Sequence, residues 1–382
     1  MRMIGREEVS LYFHIPFCAK KCPYCHFFVL PDQTLLKGQF LKSLQLEWKL
    51  YLPKLEGKEI VSIYLGGGTP SRLSPLQIAS ILNMVFTSSA MLAKECEITL
   101  EVNPEDVTPE FSQSLTQMGI NRVSLGVQSL NNAELELLDR GHSSDKATQA
   151  IQLIAAAGID NISIDLMFDL PHQTLKTWEN TLSQIKDLPI THLSLYNLTL
   201  EPHTVFFKHK KTLSPTLPSP EDSTQMLEMA LDYLTDAGLK RYEISAFAKK
   251  GLHSRHNSGY WTGRPFLGFG PSAFSYWEKK RFQNVPHLNR YSEALKEGRL
   301  PIHFEEKLEA PNARLELLAV QLRLVDGVDL TDFERRHDKL SATTYETLAQ
   351  LEAKGWIARQ ENRICLTSQG QLFYDSVASE II

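Results

Sequence analysis

Three of the five cysteines in this chain fall within one short run, Cys18-x3-Cys22-x2-Cys25. Three thiolates on one tight loop suit a zinc ion with a nearby histidine, His14 or His26, or three irons of a [4Fe–4S] cluster. The count matters. A structural zinc wants four closed ligands, whereas a cluster held by three cysteines leaves one iron open to an outside ligand. Cys96 and Cys365 lie in the strand-like contexts ECEITLEV and RICLTS and read as small buried hydrophobes. So sparse and odd a set is wrong for a secreted disulfide scaffold.

The elements that must position this chemistry repeat one theme. Short β-branched, apolar runs fall at 9–14, 60–65, 97–102, 122–127, 161–167 and 192–198. Between them lie stretches with helical spacing at 39–50, 76–86, 111–118 and 147–157. Strands alternating with helices of this length demand parallel pairing with crossovers. The expectation is an α/β fold, a partial, open (β/α)6 barrel in which functional groups collect at the C-terminal strand ends. Those ends carry the cysteine run, Gly66-Gly67-Gly68-Thr69-Pro70, Glu101-Val102-Asn103-Pro104, Gly126-Val127-Gln128-Ser129, Asp165 and Tyr196-Asn197. An acid inside an otherwise apolar strand, as with Glu101 and Asp165, is uncommon unless partnered.

Composition bounds the rest. Hydrophobic residues at 42% and charged residues at 22% are ordinary globular values over 382 residues, and a net charge of −5 does not suit a nucleic-acid partner. The opening MRMIGREEVS has no apolar core or cleavage pattern of a leader, so a cytoplasmic protein is expected. The proline-rich run at 212–220 reads as a surface linker, followed by a helix ending at Gly238. Three regions result: a barrel over 1–238, an aromatic-rich region packing on it over 239–300, and a small, mainly helical, winged-helix-like domain over 301–382. The Lys208–Lys211 run reads as a solvated loop, and His203, His209, His253 and His287 as surface or supporting residues.

The cysteine run, with Tyr24 as its aromatic, resembles the C-x3-C-x-aromatic-C motif of the radical S-adenosylmethionine (SAM) superfamily. Further matches, among them Tyr12 to Cys18, GGGTP, EVNP, GVQS, Asp139-Arg140 and SIDLMFDLP, follow the oxygen-independent coproporphyrinogen III oxidase-like branch. The resemblance implies a [4Fe–4S] cluster on Cys18, Cys22 and Cys25. It also implies SAM contacts from Tyr12, Tyr24, Gly67, Gly68, Thr69, Glu101, Gln128, Arg140, Asp165 and Thr199. Glu101 can accept from a cationic amino group, Arg140 can pair a carboxylate, and a glycine turn lets backbone N–H groups approach a ligand.

The oxidases carry a fourth cysteine where this chain has Phe27, and a longer N-terminal arm; both departures weigh against decarboxylation of coproporphyrinogen III. The run His256-Asn257-Ser258-Gly259-Tyr260-Trp261 instead resembles the HNxxYW signature of haem chaperones in the same branch. By that likeness His256, Asn257, Tyr260 and Trp261 would bind haem, with the histidine on the iron and the aromatics against the macrocycle. Read from the residues alone, the run is an aromatic loop on the barrel with His256 hydrogen-bonded. The likeness further implies haem-accepting respiratory proteins as partners and transient contact with the inner membrane.

Overall fold

The computed structural model describes residues 6–382; the first five residues, part of the stretch read above for a leader, lie outside the described residues. All six expected strands form: β1 (Glu7–Ile15), β2 (Lys58–Gly67), β3 (Met91–Val102), β4 (Arg122–Gln128), β5 (Asn161–Phe168) and β6 (His192–Asn197). They pair in parallel, in chain order. The covering helices are α1 (Thr34–Tyr51), α2 (Pro75–Phe86), α3 (Pro109–Gln117), α4 (Ser144–Ala156), α5 (Leu175–Ile185) and α6 (Pro220–Asp236). Five of them start on a hydroxyl cap. Ser74, Thr108, Ser143, Thr174 and Ser219 each accept the backbone N–H three residues on. Such a cap contributes about 1 kcal/mol and fixes where each loop ends.

The sheet does not close. Its twelve strands form an open array extended at both edges by residues beyond 239. β7 (Lys240–Glu243) and β8 (Ala246–Ala248) continue past β6, with β8 antiparallel to it. On the other side β9 (Phe266–Phe269) pairs parallel with β1, placing Tyr12 opposite Gly268 and Phe13 opposite Phe269. β10 (Phe274–Trp277), β11 (Lys280–Asn284) and β12 (Ile302–Lys307) follow antiparallel. Residues 239–300 thus supply strands to the barrel sheet, and Phe247, Leu267, Phe269 and Trp277 share its core. One buried carboxyl ties the two parts. Glu47 on α1 accepts from the Tyr291 hydroxyl (2.6 Å), the Asn284 amide (2.6 Å) and the Gly270 N–H (2.8 Å). Burial pushes it up to about 7.

Two further segments sharpen the sequence reading. The run 205–216 is not an open loop but folds into short helical turns, started by the Thr204 hydroxyl accepting the Phe207 N–H (3.1 Å). The C-terminal part has a separate core including Leu318, Val328, Phe333, Leu348 and Ile364. Its order is helix (Ala310–Gln321), short strand, two helices (Leu330–His337, Ala342–Ala353) and a hairpin (Ile357–Gln360, Arg363–Leu366), as in a winged helix. Among the described residues no helix is long and apolar enough to cross a membrane.

Candidate functional site

Beyond β1 the chain makes a two-residue strand, Phe17–Cys18, swings out through the cysteine loop and returns to pair at Leu30–Pro31. The loop is held at its base by Asp32, which accepts from Arg72 (2.7 Å) and pairs with Lys37; Arg72 also donates to Asp106 (2.7 Å). At its far side Lys20 donates to Asp139 (2.7 Å). All three thiols are free and partly exposed. Cys18 Sγ lies 3.4 Å from Thr69 Oγ1, and Arg140 Nη1 lies 3.5 Å from Cys22 Sγ. Burial pushes the Cys18 and Cys25 thiols up, while the Arg140 guanidinium pulls both down.

Neither histidine considered for a zinc site is placed to complete one. His14 shares Nδ1 with the Tyr12 hydroxyl (2.9 Å) and donates from Nε2 to the Phe28 carbonyl (3.1 Å), and burial pushes it down to about 4. It clamps Tyr12 to the cysteine loop. His26 is exposed and packs on Phe27, ring centroids 4.6 Å apart. Among the described residues no three His, Cys, Asp or Glu side chains gather as one ion would need. A cluster differs because each cysteine takes its own iron.

The glycine turn works differently from the expectation. Gly67 N–H donates to Glu101 (3.0 Å), Gly68 N–H to Ile15 O (2.9 Å) and Thr69 N–H to Phe17 O (2.8 Å), so these donors are spent inside the protein. The glycines are required by close packing. A Cβ on Gly67, at φ +111°, would stand 2.6 Å from the His14 ring, and one on Gly68 2.8 Å from Pro16 C. What the turn does is fix Glu101, whose other oxygen accepts from the Tyr64 hydroxyl (2.8 Å). Burial raises Glu101 to about 7 and Asp165 to about 6, although Ser194 and Ser124, the latter at 3.4 Å, hydrogen-bond Asp165. A cationic or hydroxyl-rich ligand beside either acid would favour its ionised form.

Arg140 is the most constrained group at the mouth. One nitrogen donates to Asn103 Oδ1 and to the Gly126 carbonyl, both 2.7 Å, while its buried Nε has no partner. A bulge between Leu125 and Gln128 brings Gln128 beside it at φ +67°, a left-handed strain typical of a ligand clamp. Tyr196 exposes 44% of its surface, and burial around its hydroxyl raises it. Tyr24 packs against Phe206 (6.3 Å) beside the cysteine loop, and Thr199 lies exposed just past β6. Sequence reasoning missed Tyr64 and Arg122, and found Tyr196 only as part of a strand end. Polar residues inside apolar strand runs are the signal that would have found them, as it found Glu101 and Asp165.

The HNxxYW run lies at the opposite end of the strands. Residues Arg255–Trp261 form one short helix, capped by Ser254 and by the Glu97 carboxylate, which accepts the Arg255 (2.8 Å) and His256 (2.9 Å) N–H groups. His256 is 1% exposed and faces the barrel interior, its ring 4.9 Å from Tyr64. Ser62 spends its proton on Ser10 (2.9 Å), so His256 Nδ1–H donates to Ser62 (3.0 Å) and Nε2 accepts from the Tyr260 hydroxyl (2.8 Å). Burial pushes the imidazole down to about 3. In this arrangement His256 offers an iron no free nitrogen, contrary to the expected haem ligation. Asn257 donates only its backbone N–H, to Ser254, and Trp261 is stacked under Arg323 at 4.3 Å from the C-terminal part.

The donor set fits a cluster with SAM on its open iron. Three free thiols share one pinned loop, and beside them stand an unsatisfied buried Arg140 Nε and two buried acids with raised affinity for protons.

The radical SAM superfamily model matches residues 12–185, and the HemN C-terminal domain model matches 308–373. The chain is 32% identical to the heme chaperone HemW of Bacillus subtilis over 96% of this chain and 97% of that one. It is 31% identical to the heme chaperone HemW of Escherichia coli, over 98% of each. The solved coproporphyrinogen III oxidase HemN of Escherichia coli shares the fold, with a TM-score of 0.86 at 24% identity over 100% of this chain and 91% of that one. The chain belongs to the HemW family of radical SAM proteins.

Proposed function

We propose that this protein is a haem chaperone: it binds haem, carries a SAM-liganded [4Fe–4S] cluster, and passes haem to respiratory acceptor proteins. The observation that carries this reading is full-length similarity to relatives named heme chaperone HemW. Cys18, Cys22 and Cys25 would hold the cluster, and Tyr12, Glu101, Gln128, Arg140 and Asp165 would hold SAM. When bound, the cluster supplies an electron for reductive cleavage of SAM. This chain's own part is placement. Arg140, 3.5 Å from Cys22, would pair the SAM carboxylate, Glu101, fixed by Gly67, would accept its amino group, and Tyr12 is locked by His14. The protein works in the cytoplasm, with transient contact at the inner membrane where its acceptors reside.

An anaerobic haem titration of the cluster-reconstituted protein, followed in the Soret band, tests the reading. Tight binding near one haem per chain is expected; no specific binding would overturn it and make coproporphyrinogen turnover the next assay. His256→Ala and His256→Gln separate ligand from strut. Loss of binding in both variants marks iron ligation, whereas loss in the alanine variant alone, with the glutamine retaining it, marks a role in holding the barrel together.

A further inference from the structure

Arg122 is the one charged side chain of the barrel lumen that the cluster and SAM residues leave without a task. It stands at the start of β4, 1% exposed, opposite Thr99 in the β3–β4 register. The strand alternates. Val123 and Leu125 face the helices in the core, so Arg122 shares the inner face with Ser124, which lies opposite Glu101. Its charge is felt by Tyr64, Glu101, Asp165, His192, Tyr242 and His256, on six different elements around the lumen. Yet no hydrogen bond holds it. Its Nε and Nη1 are buried without a partner, and so is the hydroxyl of Thr99 beside it.

A buried guanidinium without partners costs stability, and such a group persists where a ligand satisfies it. Arg140 does not duplicate it, because that side chain is pinned at the mouth by Asn103 and the Gly126 carbonyl. In the same lumen His256 is already engaged, with Ser62 and Tyr260, and leaves Arg122 without a partner. A planar guanidinium with two free N–H edges selects a carboxylate.

We propose that Arg122 is the anchor of a second carboxylate-binding position inside the barrel, below the SAM residues. It rests on the proposed function in its source, a propionate of the tetrapyrrole reaching down the lumen, since the SAM carboxylate falls to Arg140 at the mouth.

Wild type, Arg122→Met and Arg122→Lys, all cluster-reconstituted, are titrated with haem, with haem dimethyl ester and with SAM. Wild type prefers haem over the ester by about tenfold or more if a propionate sits on Arg122, and Arg122→Met abolishes that preference while Arg122→Lys keeps part of it. A comparable loss of SAM affinity in Arg122→Met, with the haem-to-ester ratio unchanged, would place Arg122 in the SAM site and overturn a second carboxylate position. If wild type binds no haem, the chaperone reading fails, and the thermal midpoint decides whether Arg122 is unsatisfied. The thermal midpoint of the ligand-free protein is the second measurement. It rises in Arg122→Met if the guanidinium is unsatisfied; a fall, or unchanged affinity in every titration, would overturn the proposal.

Discussion

The two ends of the barrel carry equally suggestive sequence motifs and opposite physics. At the mouth Arg140 Nε has no partner, Gln128 is held at positive φ, and Glu101 and Asp165 are buried acids raised towards neutrality. At the floor the network around His256 is satisfied, although Arg122 and Thr99 in the same lumen are left unpartnered. Both nitrogens of His256 are used, and Glu97 takes two backbone N–H groups of the helix that carries it. Unmet polar groups and strain mark a place built for something else to bind, whereas a closed network marks a place built to stay. The difference lies in satisfaction, not in residue type.

Removing cysteines tests the mouth most severely. Cys22→Ala is expected to abolish the reconstituted iron–sulfur absorbance entirely, while urea unfolding of the cluster-free protein moves by no more than about 0.5 kcal/mol, because the thiol is partly exposed. A large loss of stability there would erase the contrast between the ends. The floor should behave the other way. His256→Ala leaves a cavity and strips Ser62 and Tyr260 of their partner, costing about 2–4 kcal/mol in urea unfolding of the cluster-free protein. A cost under about 0.5 kcal/mol would mean that the floor is not a strut.

Arg140→Met sharpens the mouth further. With Arg140 proposed to pair the SAM carboxylate, its loss is expected to weaken SAM binding by about 10- to 100-fold in calorimetry, and unchanged affinity would remove Arg140 from the site. The mildest test is pH. The fold raises Glu101 from 4.5 to about 7, favouring its protonated form, so this contribution is full below about pH 4.5 and is lost as pH rises to 7. His256 runs the opposite way. Lowered from 6.5 to about 3, it favours the neutral ring, so its contribution is full above pH 6.5 and is lost as pH falls. Denaturation across this range should show Glu101→Gln flattening the alkaline flank and His256→Gln the acid one; no change in either flank would sink both assignments.

The sequence by itself determined the local and the covalent. Alternating apolar runs and hydroxyl caps set six strands and their helices, and three cysteines at fixed spacing set the loop that would hold a cluster. Acids in apolar strands marked Glu101 and Asp165, because burial of a charge is costly wherever the strand lies. Tertiary structure decided which polar groups are spent and which are free. The glycine turn looked like a cradle of N–H donors, but Ile15, Phe17 and Glu101 take them. His256 looked like a ligand, but its partner Ser62 lies 194 residues away and closes its ring. β9 was illegible because four residues, one of them a glycine, carry too little periodicity; β1 gives it a place. Spacing along the chain encodes elements, while hydrogen-bond satisfaction is settled by contacts between distant residues, and that satisfaction separates a site from a strut.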